Sequence, residues 1–142
     1  MKIKILTILV GVLMGSCKTY TISPESLKSQ LLESGNIRQE VEINNPLLYG
    51  NIRYKANAIG HLSISDRDGN RLLMPNSPAL EMRITQKNGK RNIFYFDTVI
   101  LENDSLKGSK SRFIPGLTGS IPFDSIVKIE IQDGGKDFHY KE

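Results

Sequence analysis

The chain has 142 residues, 39% hydrophobic and 24% charged, with 12 Gly, 6 Pro, no Trp and one Cys. That composition excludes intrinsic disorder, collagen-like repeats and a coiled coil, and the length fits a single domain. A formal charge of +4 is too mild to mark a nucleic-acid binder, and one cysteine permits neither an internal disulfide nor a cysteine-based zinc site.

Met1-Lys2-Ile3-Lys4 is a basic start, Ile5 to Met14 is almost wholly apolar, and Gly15-Ser16 lead into Cys17. That is the order of a secretory leader, and the apolar run falls well short of the roughly 20 residues a spanning helix needs. Leu13-Met14-Gly15-Ser16-Cys17 resembles the lipobox of bacterial lipoproteins. The resemblance implies that residues 1–16 are a signal peptide and that Cys17 becomes the lipidated first residue of the mature chain. Residues 17–22 then read as a lipidated cysteine and short tether, and residues 23–142 as one helix-plus-β domain. Each buried methylene contributes about 0.8 kcal/mol, so a multiply acylated cysteine is a firm anchor. Lys18 stands where an Asp would retain many Gram-negative lipoproteins, and no acidic run follows. By that resemblance the expected place is the outer membrane, facing the periplasm.

Ser23-Pro24-Glu25 reads as a helix start: Ser as N-cap, Pro at the first helical position, an acid in the first turn. Ile22 and Leu27 stand at hydrophobic-staple positions, Leu27, Leu31 and Leu32 form one stripe, and Gly35 is the stop. From Ile37 the period changes to 2, with Ile37, Val41 and Ile43 on one face. Ile52, Tyr54, Ala56 and Ala58 alternate next, then Leu62 and Ile64. Asp68-Gly69 turns the chain into Arg71 to Met74, and Pro75 and Pro78 mark a loop or edge. Lys87-Asn88-Gly89-Lys90 predicts a two-residue hairpin turn, with Ile84 opposite Ile93, Met82 opposite Tyr95, Arg83 opposite Phe94 and Glu81 opposite Phe96. Apolar residues on both faces of Ile93 to Phe96 predict a central strand, with Asp97 opposite Leu80. Val99-Ile100-Leu101, a turn at Asn103-Asp104 and a short strand near Leu106 follow, then a loop loosened by Gly116 and Gly119. Pro122 to Ser125 reads as one helical turn, Val127, Ile129 and Ile131 as the last strand, and the rest as a polar tail.

These elements predict a mainly β fold, a small antiparallel barrel or sandwich with one short N-terminal helix after the signal peptide. Asp104-Ser105-Leu106 followed by Ile121-Pro122 to Ile131 resembles the last strands of small SH3-like or Sm-like barrels. Asp104 to Gly108 and Ile121 to Glu130 also resemble stretches of small uncharacterised Bacteroidota-type lipoproteins, a likeness that brings no activity with it.

No catalytic constellation emerges. His61 and His139 are the only histidines, no G-x-S-x-G elbow is present, and lipidation would consume Cys17. Asp66 to Asn70 has its glycine too early for a calcium loop, with Arg71 at the sixth position and Ser77 in place of the bidentate Glu. Asp97-Thr98-Val99 lacks the glycine of the aspartic-protease motif. Two basic stretches, Lys87, Lys90 and Arg91, and Lys107, Lys110 and Arg112, interleave with Tyr95 and Phe113 and are candidate contacts for an anionic ligand, against the alternative of a solvated, edge-protecting face. Asp97-Thr98-Val99, Asp104-Ser105-Leu106 and Asp124-Ser125-Ile126 resemble the Asp-Ser/Thr-apolar O-glycosylation acceptor of Bacteroidota-type envelopes, making Thr98, Ser105 and Ser125 candidates. Asp-Ser is equally a turn or cap pair. The expectation is therefore an envelope lipoprotein, a non-catalytic binding or assembly module with no cofactor, no metal and no nucleic-acid partner. Its partners would be the membrane, through the lipid, and an envelope protein or polymer. The alternatives are a lipidated immunity or inhibitor protein and, third, a periplasmic hydrolase using His61.

Overall fold

The computed structural model describes residues 18–142, so Cys17 and the leader lie outside the described residues. Strand β1, Thr19–Ile22, is followed by helix α1, Pro24–Glu33. The Ser23 side chain accepts the Ser26 N–H at 3.1 Å, and Pro24 occupies the first turn. The helix stops in a Schellman pattern: Asn36 N–H donates to Leu31 O, Gly35 N–H to Leu32 O, and Gly35 takes φ +75°. Leu27 and Leu31 are completely buried, each contributing about 1.5–3 kcal/mol, whereas Leu32 is 57% exposed and leaves the predicted stripe. Residues 19–22 are a strand rather than the expected tether, because Ile22 joins the core and β1 supplies the sheet with an interior partner.

The chain continues through β2 (Arg38–Asn44), β3 (Asn51–Asn57), β4 (His61–Ser65), β5 (Arg71–Pro75), β6 (Leu80–Gln86) and β7 (Arg91–Tyr95). A 3-10 turn, Phe96–Thr98, precedes β8 (Ile100–Glu102) and β9 (Ser105–Ser109). Then come β10 (Thr118–Pro122), a second 3-10 turn at Phe123–Ser125, and β11 (Ile126–Asp133). The architecture is mainly β with antiparallel pairing: a six-stranded sheet ordered β5-β4-β1-β11-β6-β7, a three-stranded sheet β10-β9-β8, and the β2–β3 hairpin. These sheets stack in a sandwich-like way and do not close into a barrel. The main core joins α1, the six-stranded sheet and the three-stranded sheet through Leu27, Leu31, Leu62, Met82, Phe94 and Leu106 among others.

Two side-chain amides tie the helix to both sheets. Gln30 donates to Ser63 O at 3.0 Å and accepts from Ser63 N–H at 2.9 Å, where β1 meets β4 only at Thr21 and Ser65. Asn36 does the same for Leu101, at 2.7 and 3.0 Å. Each amide satisfies a backbone pair that the sheet leaves open.

Several local expectations are corrected. The β6–β7 connection is a three-residue loop: Gln86 O accepts from Gly89 N–H, Gln86 N–H donates to Lys90 O, and only Gly89 (φ +82°) has positive φ there. The register therefore shifts by one, pairing Glu81 with Tyr95, Met82 with Phe94 and Arg83 with Ile93. Strand β7 is an edge of its sheet, with Ile93 46% exposed, and Asp97 lies in the 3-10 turn instead of opposite Leu80. The two-residue turn with both central residues at positive φ lies at Asn103 (+50°) and Asp104 (+57°), between β8 and β9. Gly119 belongs to β10, opposite Gly108, because the Phe94 ring lies on that glycine pair: an added Cβ would come within 2.7 Å of the ring at Gly108 and 2.8 Å at Gly119. A bulge between Ile126 and Lys128 turns Val127 outward and buries Ile126 instead. Ile37 precedes β2 and is exposed. The tail is not a free polar end: Tyr140 bridges to Ile43, Lys141 N–H donates to Glu42 O, and Phe138 is buried.

Candidate functional site

Alternation along β7 sends Phe94 into the main core and Tyr95 to the opposite face, where a second cluster of Ile43, Tyr95 and Phe138, flanked by Ile52 and Tyr54, holds the β2–β3 hairpin. At the edge of this cluster sit two wholly buried charges. Arg112, from the loop between β9 and β10, donates through Nη2 to Asp97 Oδ1 at 2.6 Å and to Pro78 O at 2.7 Å. The guanidinium carbon lies 4.1 Å from the Tyr95 ring centre and 4.4 Å from that of Tyr54, and Phe138 stands at 5.9 Å. Asp97 Oδ2 accepts from the hydroxyls of Tyr54 and Tyr140, the latter at 2.8 Å. Burial first, then the Asp97 carboxylate, push both phenols far above their ordinary value, so they remain neutral donors. Six segments thus meet on one ion pair: β3, the β5–β6 loop holding Pro78, β7, the turn holding Asp97, the loop holding Arg112, and the tail. Beside it Lys136 donates to Tyr95 Oη at 2.8 Å and faces Glu81 at 3.5 Å; the hydrogen bond to Tyr95 is the main cause of its raised pKa.

Arg112 Nε and Nη1 are buried without an acceptor. A buried donor left unmatched costs about 1–3 kcal/mol. Arg112 also lines a cleft of about 340 Å³ between the β2–β3 hairpin and the three-stranded sheet. Arg38, Arg53, Lys55 and Lys107 line the same cleft, and none of its lining residues is acidic. Arg53 and Lys107 make loose, exposed ion pairs with Glu42 (3.5 Å) and Glu102 (3.6 Å), each worth about 0–1 kcal/mol. Among the described residues Arg38 and Lys55 have no ion-pair partner. Ile52, Ile100 and Pro115 supply apolar wall, the Tyr54 ring an aromatic one, and Ser111 and Thr118 hydroxyls. A larger hollow of about 560 Å³ beside the tail mixes signs, with Glu40 and Glu42 against Arg53 and Lys141.

The six basic residues singled out in the sequence are not brought together. Lys87, Lys90 and Arg91 stand exposed at the β6–β7 hairpin end. Lys110 is exposed, its stem lying over Gly119. Lys107 and Arg112 reach the cleft, but Arg112 is a buried ion-pair member and not a solvated cation, and Tyr95 stacks on it from within. The cleft's other cations come from β2 and β3, where alternation reads them as an ordinary polar face. Tyr54, Asp97 and Tyr140 escaped because their partners are distant in sequence. The hydroxyl of Thr98 donates to Tyr95 O and accepts from Ser109 N–H, and that of Ser125 donates to Pro122 O. Ser105 pairs in β9 with Pro122. His61 opens β4 exposed and His139 lies in the tail; neither lines the cleft. Asp66 closes the β4–β5 hairpin, accepting from the backbone of Asp68 and Asn70, with the Asn70 N–H the main cause of its lowered pKa. No family model, curated protein or solved structure matches the chain.

Proposed function

We propose that the chain is an outer-membrane lipoprotein anchored through Cys17, whose domain acts as a non-catalytic binding module on the periplasmic side. The leader pattern from Lys2 to Cys17 supports the anchor. The observation that carries the binding reading is the contrast between the two halves of the site. The buried charges Asp97 and Arg112 are consumed in holding segments together, while the cleft beside them is open and lined by cations without acids. Because β1 begins two residues after Cys17, an acylated Cys17 seats the domain against the bilayer rather than on a stalk.

A second reading, a lipidated immunity or inhibitor protein, is favoured by the end of the β2–β3 hairpin. There Leu47, Leu48 and Tyr49 are 72%, 73% and 106% exposed in succession, a patch suited to a protein partner. The test is to express the chain from its own signal beside Cys17→Ala, fractionate membranes, weigh the intact protein and capture partners from detergent extracts. Expected are an acyl-sized mass increase and loss of membrane association in Cys17→Ala. If both proteins fractionate alike, the anchor is refuted. One stoichiometric protein whose capture fails in Leu48→Asp would favour the second reading. A mass equal to chain plus lipid removes Thr98, Ser105 and Ser125 as glycosylation sites.

A further inference from the structure

We propose that the cationic cleft is a binding site for an anionic carbohydrate unit, a uronate or a sugar phosphate. The proposal deepens the binding reading above and rests on it. The anion requirement follows from charge: Arg38, Arg53, Lys55 and Lys107 all line one concavity, with no acid lining it. Two of these cations, Arg38 and Lys55, make no ion pair among the described residues, and the acids beside the others, Glu42 and Glu102, like Glu40 across from Lys55, stand outside the cleft. Arg112, 5% exposed, adds the second observation. Its Nη2 is satisfied and its faces are covered by Tyr54 and Tyr95, yet Nε and Nη1 have no acceptor, and the residue lines the cleft.

The sugar body follows from the rest of the wall. A volume of about 340 Å³ exceeds what a bare inorganic anion needs and lies at the small end of organic-ligand pockets, about 300–1,000 Å³. Ile52, Ile100, Pro115 and the Tyr54 ring offer apolar faces on which the C–H side of a pyranose can rest. Thr118 and Ser111 bring hydroxyls: Ser111 Oγ already accepts from the Phe113 and Ile114 N–H groups, so its own proton is free to donate. Cations at the rim, an amphipathic wall and hydroxyl donors together match a polar ring carrying a negative group.

The test uses the lipidated full chain in detergent, titrated by calorimetry with glucuronate, glucose 6-phosphate, glucose and inorganic phosphate. Saturable binding of either charged sugar is expected, with glucose inert, inorganic phosphate weaker and affinity falling as ionic strength rises. In Arg38→Gln/Lys55→Gln, both exposed positions, affinity should fall about tenfold with the melting temperature nearly unchanged. A uronate that binds without the phosphate, or the reverse, identifies the anion and supports the site. No saturable binding of either charged sugar, glucose binding as tightly, or an undiminished double variant overturns the proposal. Inorganic phosphate binding as tightly as glucose 6-phosphate overturns the sugar assignment. A Cys17→Ala protein that still fractionates with membranes sinks the anchor alone, so the two failures are distinguishable.

Discussion

Removing the guanidinium from Arg112 should be among the most damaging single changes this domain can suffer. The Arg112 side chain is 1% exposed and that of Asp97 is not exposed at all. Arg112→Met keeps much of the apolar stem but deletes the hydrogen bonds to Asp97 and Pro78 and the two ring contacts at 4.1 and 4.4 Å. A hydrogen bond to a charged group contributes about 1.5–3 kcal/mol and a desolvated cation–π contact about 0.5–2 kcal/mol. The larger consequence is a carboxylate left buried on the Tyr54 and Tyr140 hydroxyls alone. Breaking a buried pair from one side costs about 3–5 kcal/mol, a large share of the roughly 5–15 kcal/mol that holds a domain folded. Urea unfolding followed by circular dichroism should show that loss as a lower midpoint at unchanged slope. Adding Asp97→Asn to Arg112→Met removes the orphaned charge but keeps an acceptor for the tyrosines, so it should cost under about 1 kcal/mol more, although Asp97→Asn alone is as harmful as Arg112→Met. An Arg112→Met protein within about 1 kcal/mol of wild type, or single losses that simply add, would refute this account of the ion pair.

Gly108→Ala drives a Cβ to 2.7 Å from the Phe94 ring and should cost about 1–3 kcal/mol, with Phe94→Leu less harmful in that background than alone; chemical denaturation of the four proteins checks it. Tyr54 and Tyr140 have pKa values raised above 10.0, so the folded state keeps protons that the unfolded chain loses. Their contribution is complete below pH 10 and declines above it. After discounting for the part-exposed Tyr140 ring, the pair should remove about 1–2 kcal/mol of stability per pH unit. Absorbance titration at 295 nm should show that these two of the five tyrosines ionise only with unfolding, and early titration of all five would contradict the network.

What was legible in the chain was local. Ser23-Pro24 and Gly35 carry cap chemistry in the residues themselves, and Leu62, Ile64, Ile129 and Ile131 alternate strictly, so helix and strands follow from nearest-neighbour physics. The clamp was not legible, because Asp97 stands 43 residues from each of the two tyrosines that hold it, and only the fold joins them. One signal in the tail did exist: Phe138 and Tyr140 alternate with polar residues, the pattern of a half-buried strand, inside a stretch otherwise reading as solvated.

The β6–β7 register shows how much depends on a single residue. Asn88-Gly89 fits a two-residue turn as well as a three-residue loop with Gly89 left-handed, and turn chemistry alone does not choose between them. Face matching does choose: the shorter loop sets Arg83 opposite Phe94, whereas the longer one sets Met82 opposite Phe94 and leaves Glu81 with Tyr95. Only the second arrangement gives the main core Phe94, on the Gly108 and Gly119 floor, and turns Tyr95 outward onto Arg112. The loop length at Gly89 thus decides which aromatic ring leaves the core, and with it whether Arg112 has a surface to stack on where it meets Asp97 and the cleft.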